Sequence, residues 1–281
     1  MKNILSPALL IIAALVFISL WGFYFAIRPI KITNPITPKN YGIQYESVSF
    51  RTKDGLLIRG WFIKNANSQA KTIILLHGYP ADKGDILPST LFLHKKYNLL
   101  YLDFRYLGES EGHYSTIGKN EVLDLLAAIQ YLHSRNIQEV GVWGFSLGAA
   151  VALMTAPLTP AIKAIVADSS YARLDWMADD YYRIPLLRYP LAELTRLWGW
   201  IFLHFDIKNV SPAASVQQLH IPILIIHSKQ DQVISFKHAL LLEQSLRHNS
   251  RAKMMFVNST MHGEHDENYE KMIMQFFADN L

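Results

Sequence analysis

An α/β architecture, with helices on both faces of a mostly parallel eight-stranded sheet, is the fold class this sequence predicts. Three observations lead to it. Short apolar runs recur at Thr72–Leu76, Leu99–Phe104, Val140–Trp143, Ala164–Ala167, Ile223–Ile226 and Met254–Val257. Runs without polar alternation suit strands buried on both faces. Helical patterns lie between them: Val122, Leu125, Leu126, Ile129 and Leu132 recur at helical spacing, and Leu240–Leu246 and Tyr269–Phe277 read likewise. Finally, Ser47–Arg51 and Leu56–Lys64 flank Lys53-Asp54-Gly55, a hairpin signal that adds two strands at the start. Alternating strands and helices are the signature of a sheet covered on both faces.

Composition agrees with a large core. The chain has 281 residues, 51% hydrophobic and 18% charged, against roughly 25% charged in an ordinary domain. The net charge of +4 comes from 27 Lys+Arg against 23 Asp+Glu, too mild a balance to suggest a nucleic-acid partner. The absence of cysteine excludes a disulfide scaffold, a zinc–thiolate site, an iron–sulfur cluster and a thiol nucleophile.

Residues 1–28 read as an N-terminal transmembrane anchor. No charged residue occurs from Asn3 to Ile27, and Trp21, Phe23, Tyr24 and Phe25 cluster at the far end before Arg28-Pro29. Such a run is long enough to cross a hydrocarbon core, which needs about 20 helical residues. A cleaved signal peptide has a shorter apolar region, roughly 7–15 residues, ending in small residues. Lys2 flanks one side and Arg28, Lys31 and Lys39 the other, so charge does not decide the orientation of this single-pass anchor. Residues 29–41, with Pro29, Pro35 and Pro38, read as an extended linker, and 42–281 as one α/β domain. Within it, residues 171–211 break the strand–helix rhythm. They are rich in aromatics, among them Trp176, Tyr181, Tyr182, Trp198 and Trp200, and read as a small helical lid insertion, since segments this long are uncommon unless functional.

The chemistry begins at Gly144-Phe145-Ser146-Leu147-Gly148. A strand runs into it and the helical pattern Ala149–Met154 follows. Gly-x-Ser-x-Gly has meaning in this strand–turn–helix setting. The turn is sharp, so residues two away from the serine must lack bulk. The serine oxygen is lifted clear, and the helix N-terminus favours developing negative charge. Ser146 is therefore the expected nucleophile.

At these residues the chain resembles the α/β-hydrolase superfamily, and within it the membrane-anchored Bem46/YqkD-like and serine-aminopeptidase-like (S33) groups. The resemblance covers about Tyr41 to Leu281. Its motifs are His77-Gly78-Tyr79, Asp103-Phe-Arg105-Tyr106-Leu-Gly108-Glu-Ser110, Gly144–Gly148, Asp168-Ser169-Ser170, His227-Ser-Lys-Gln-Asp231 and a histidine-bearing tail. Relatives usually carry glycine where Tyr106 stands, which puts the local loop shape in question.

The resemblance implies an α/β-hydrolase fold and a set of site residues. The backbone N–H groups of Tyr79 and Leu147 are expected to form the oxyanion hole. His77 reads as a histidine bracing this loop, because the expected order is Ser…Asp…His. Asp231, after the strand Ile223–Ile226, is the expected triad acid, with Asp168 its rival. His262, after the strand Met254–Val257, is the expected base, with His265 its rival. A metal site at His262, Glu264, His265 and Asp266 is a weaker alternative without a recognisable zinc pattern. Asp103 and Arg105 read as structural ion pairing.

In the expected mechanism His262 takes the proton of Ser146, which attacks an acyl carbonyl, and water then releases the acyl-enzyme. No cofactor and no metal is required. The expected activity is a serine hydrolase of ester or thioester bonds in small or lipid-like acyl substrates, carboxylesterase- or lipase-like. The alternatives are an S33-type peptidase or amidase and a non-enzymatic membrane-tethered scaffold. The lid's charges do not decide between ester and peptide: Asp175, Asp179, Asp180 and Glu193 stand against Arg173, Arg183, Arg188 and Arg196.

Overall fold

The computed structural model describes residues 6–182, 186–258, 261–263 and 267–281. Arg183, Glu264, His265, Asp266 and the first five residues, all used in the sequence reading, lie outside them. The strands are β1 (Glu46–Arg51), β2 (Leu57–Ile63), β3 (Thr72–Leu76), β4 (Asn98–Leu102), β5 (Val140–Phe145), β6 (Ile162–Asp168), β7 (Ile223–Ser228) and β8 (Ala252–Val257). They form one sheet in the order β1-β2-β4-β3-β5-β6-β7-β8. The β1/β2 and β2/β4 pairs are antiparallel, and the pairs from β4 to β8 are parallel.

The parallel centre forms where the side chains are nearly all apolar and can be buried on either face: all residues of β3 and β4 are buried, with Asn98 hydrogen-bonded to the Ala70 carbonyl. Most strand ends shift by one or two residues from the sequence reading, and two of the shifts have local reasons. β4 ends short of Phe104: Asp103 N–H still bonds the Arg59 carbonyl beside β2, but Phe104 N–H turns away to the His77 ring. β5 runs on to Phe145, which delivers the chain directly into the turn at Ser146.

The helices are α1 (Pro7–Ile27), α2 (Leu87–Thr90), α3 (Glu121–Ser134), α4 (Leu147–Thr155), α5 (Leu174–Tyr181), α6 (Arg188–Leu203), α7 (Pro212–Ser215), α8 (Lys237–Ser245) and α9 (Tyr269–Asn280). On one face, Leu125, Ile129 and Leu132 of α3 and the wholly buried α4 cover the sheet. On the other, Ile273, Phe276 and Phe277 of α9 pack with Trp143 and Tyr97. β3 lies between β4 and β5, so the chain reverses its direction of travel across the sheet there. Ligands of open α/β sheets bind at such a switch point, beyond the carboxyl ends of the strands.

Among the described residues one helix, α1, is long and apolar enough to cross a membrane; 21 residues span about 30 Å. Ser6 caps it and Pro7 occupies the first turn, where its missing N–H costs nothing. Its second half packs on α6. Trp198 Nε1 donates to Ser19 Oγ at 3.0 Å, and Phe23 stacks on Phe202 at 6.0 Å. Both pairs keep the same sequence offset, so the two helices run side by side in the same direction. A helix ends with unsatisfied carbonyls. Here Ser115 N–H bonds the Ile27 carbonyl and the Tyr79 hydroxyl donates to that of Ala26. Beyond the helix, Tyr106 OH donates to the Pro29 carbonyl, Lys31 Nζ to the Ser110 carbonyl and Asn34 N–H to Asp82. The chain after α1 is thus bonded along its length to the rest of the molecule.

Candidate active site

Ser146 sits between β5 and α4 with φ 53° and ψ −110°, a conformation L-residues avoid. Two close approaches explain the flanking glycines. A Cβ on Gly144 would lie 2.4 Å from the Gly148 backbone, and one on Gly148 would lie 2.3 Å from the Leu76 carbonyl oxygen. The turn is held by Ser146 N–H donating to the Asp168 carbonyl at 2.8 Å and by Ala150 N–H donating to the Ser146 carbonyl. Leu147 is the first residue of α4, and the first N–H groups of a helix have no partner within it.

The loop after β3 carries Tyr79. His77 is fully buried beneath it. Its Nε2 accepts from Phe104 N–H at 3.0 Å, and its Nδ1 faces the Gly78 carbonyl at 2.6 Å. Accepting at Nε2 fixes the proton on Nδ1. Burial holds this ring neutral by lowering its pKa, and the Asp103 charge opposes that only in part. His77 thus ties the ends of β3 and β4 together, the bracing position that the sequence order implies.

Asp231 lies three residues beyond β7. Its Oδ1 accepts from the N–H groups of Val233 (2.7 Å) and Ile234 (2.8 Å), and its Oδ2 faces His262 Nδ1 at 2.6 Å. Burial pushes this carboxyl up. The hydrogen bonds from His262 and the two amides, with the His262 charge, outweigh it and hold the group below the usual carboxylate range. A carboxylate at Nδ1 orients the imidazole so that Nε2 faces outward as the acceptor. The His262 ring lies on Phe145, the neighbour of Ser146, with centroids 4.8 Å apart. Gly263 makes this possible: its φ is +76°, and a Cβ there would lie 2.5 Å from the Phe145 ring.

Asp168, the rival acid, is engaged elsewhere. Tyr269 OH donates to its Oδ2 at 2.6 Å and Ser169 Oγ to its Oδ1 at 3.0 Å. Trp143 Nε1 donates in turn to Tyr269 OH. Asp168 therefore joins β5, β6 and α9 beneath the turn. Its backbone carbonyl also holds the Ser146 amide, a supporting role that the sequence reading did not identify. Asp103 accepts from the Lys83 ammonium (2.6 Å) and amide (2.8 Å), and Arg105 forks onto Asp124 and Asp54. Lys83–Asp103 and Arg105–Asp124 are buried ion pairs, and Asp54 meets Arg105 from the exposed side. Among the described residues no group of three or more His, Asp and Glu could hold a metal.

A cavity of about 430 Å³ opens over Ser146 and Leu147. It is lined mainly by apolar and aromatic groups: Tyr79 and Pro80 from the β3 loop, Tyr171, Leu174 and Met177 from the insertion, and Phe23, Ala26 and Ile27 from α1. The contribution of α1 was not legible in the sequence, because an apolar helix reads alike whether lipid or protein faces it.

The sheet order, the strained serine turn and the carboxylate-bound histidine define an α/β-hydrolase. Residues 110–281 match the model of Peptidase S9, the prolyl oligopeptidase family, and the chain belongs to that family. YfhR of Escherichia coli K12 is 31% identical over 204 residues, 69% of this chain and 66% of YfhR. This chain thus aligns with just under two thirds of YfhR's length. YqkD of Bacillus subtilis is 27% identical over 242 residues, 81% of this chain and 77% of YqkD, which bears out the expected likeness. Among solved structures, the Pyrococcus furiosus esterase Pf2001 superposes with a TM-score of 0.76 at 25% identity, covering 90% of this chain and 99% of the esterase.

Proposed function

We propose that the protein is a membrane-anchored serine hydrolase that cleaves ester or thioester bonds of small or lipid-like acyl substrates. Ser146 is the nucleophile, His262 the general base, Asp231 the residue that orients it, and the Tyr79 and Leu147 amides the oxyanion donors. Helix α1 is the anchor. The observation that carries this reading is the 2.6 Å contact of Asp231 Oδ2 with His262 Nδ1 beside the Ser146 turn.

The Ser146 hydroxyl attacks the acyl carbonyl as His262 Nε2 takes its proton. The tetrahedral oxyanion is met by two backbone N–H groups, each such donor contributing about 2.7–4 kcal/mol to the transition state. His262 returns the proton to the leaving alcohol or thiol, and the carbon–oxygen or carbon–sulfur bond breaks. Water then attacks the acyl-enzyme, its proton passing through His262 to Ser146, and the carboxylic acid leaves.

The apolar cavity and the likeness to an esterase over nearly all of both chains favour esters. Membership of a peptidase family favours amide cleavage as the second reading. A fluorophosphonate probe is expected to label the wild type and not Ser146→Ala. Short-chain p-nitrophenyl esters are expected to turn over faster than aminoacyl amides; the reverse order would install the peptidase reading. A folded wild type that resists the probe would remove both.

A further inference from the structure

Helix α1 does more in this fold than attach it to a membrane. Phe23, Ala26 and Ile27 line the cavity over Ser146. A second cavity of about 440 Å³ is bounded by Phe17, Leu20, Trp21, Tyr24 and Arg28 at α1 and by Phe202 of α6. Phe23, Ile27 and Leu203 line both cavities. The partition between the outer cavity and the Ser146 cavity is therefore a few apolar side chains at the junction of α1 and α6. Among the described residues, those that line both cavities are all apolar.

The outer surface around this junction is apolar as well. Phe17, Trp21, Tyr24 and Phe25 of α1 are exposed, as are Leu197, Trp200, Ile201 and Phe202 of α6. Residues Leu197–Leu203 contain no charge, and Glu193 and Arg196, one turn earlier, pair with each other. Exposed aromatic and aliphatic groups on adjacent helices mark a surface that meets lipid or another apolar partner. The anchor helix is one of the two, so the lipid that receives α1 also covers the α6 face beside it. A solute leaving that lipid meets the outer cavity first.

Resting on the serine-hydrolase reading, we propose that the substrate is a long-chain acyl ester drawn from the bilayer, and that its acyl chain passes between α1 and α6 and lies along α1 while its carbonyl sits at Ser146. Ala26 then sets how much chain the catalytic cavity admits, and Phe23 controls the passage between the two cavities. The occupant is the substrate's own acyl chain, which matches the apolar lining on both sides of the partition. The anchor is in this sense part of the binding site.

The test uses the full chain in phosphatidylcholine vesicles. With p-nitrophenyl butyrate and dodecanoate, the wild type is expected to favour dodecanoate in kcat/KM. Ala26→Trp is expected to lower the dodecanoate-to-butyrate ratio at least tenfold, and an unchanged ratio overturns the proposal. Should Ala26→Trp fail to fold, Phe23→Ala decides: a ratio within twofold of wild type overturns it, and a shift of the preferred chain length supports it. With monooleoylglycerol at fixed bulk concentration, diluting it with extra phosphatidylcholine is expected to slow hydrolysis. A rate indifferent to that dilution overturns access from the bilayer. Fluorophosphonate labelling of the wild type separates the two levels: labelling with no effect of these variants removes this inference alone, and loss of labelling removes the hydrolase reading beneath it.

Discussion

The Tyr79 hydroxyl donates a 2.7 Å hydrogen bond to the Ala26 carbonyl. One residue thereby connects the end of the apolar N-terminal helix to the loop that lines the cavity over Ser146. Burial raises the Tyr79 phenol above its ordinary pKa, so it stays a donor throughout the neutral range. Tyr79→Phe keeps the backbone amide and removes this bond. Losing such a bond costs about 0.5–1.5 kcal/mol. A two- to tenfold fall in kcat with a lower melting temperature is expected, measured with p-nitrophenyl butyrate. An unchanged kcat would mean that the loop holds its geometry without the helix.

Asp231 and Asp168 are both buried carboxylates near the serine turn, but they have different partners. Asp231→Asn disturbs the tautomer of His262 and is expected to reduce kcat by about 10⁴. Asp168→Asn removes a brace between Tyr269 and Ser169, so lower thermal stability with less than a tenfold loss of fluorophosphonate labelling is expected. Equal losses in the two variants would reassign the acid.

Gly263 lies against Phe145 with a positive φ. Gly263→Ala adds about 1–3 kcal/mol of backbone strain and a clash with the ring. Labelling is expected to slow at least tenfold as His262 is displaced. Adding Phe145→Ala removes the clash but not the strain, so partial recovery is expected. A double variant no better than Gly263→Ala would show that the ring is not the obstacle.

Acidification should loosen the fold in a defined window. His77, His227 and His238 are buried, and burial lowers the pKa of each below the ordinary 6.5. Below that value the unfolded chain binds protons that the folded chain refuses, so stability falls as pH drops through about 6.5. A decrease in melting temperature of about 3–6 °C between pH 7.5 and 5.5 is expected. Asp231 acts lower down: its depressed folded pKa keeps its contribution whole above about 3.9 and loses it beneath. A melting temperature flat from pH 7.5 to 5.5 would contradict the buried neutral histidines.

Much of this was legible because the residues concerned leave few alternatives. Strands such as Thr72–Leu76 have no polar side to turn outward. Ser146 stands between glycines whose added Cβ atoms would strike backbone. The departure at Tyr106 also has its explanation: the residue takes φ 68°, where glycine is at ease, and its hydroxyl is held by the Pro29 carbonyl. What stayed hidden were relations between distant segments. Nothing in an uncharged helix signals that Ser19 will meet Trp198, 179 residues away, or that Phe23 will line a cavity over the serine. His265 lies outside the described residues, so its comparison with His262 falls to substitution of each.

Because α1 supplies one side of the cavity, deleting the first 27 residues to obtain a water-soluble enzyme would not be a neutral shortening. It would take away the Phe23, Ala26 and Ile27 side of the cavity, release the Tyr79 hydroxyl from the Ala26 carbonyl, and leave the serine at the floor of an open trough. Chain-length preferences measured on such a fragment would describe the trough and not the enzyme.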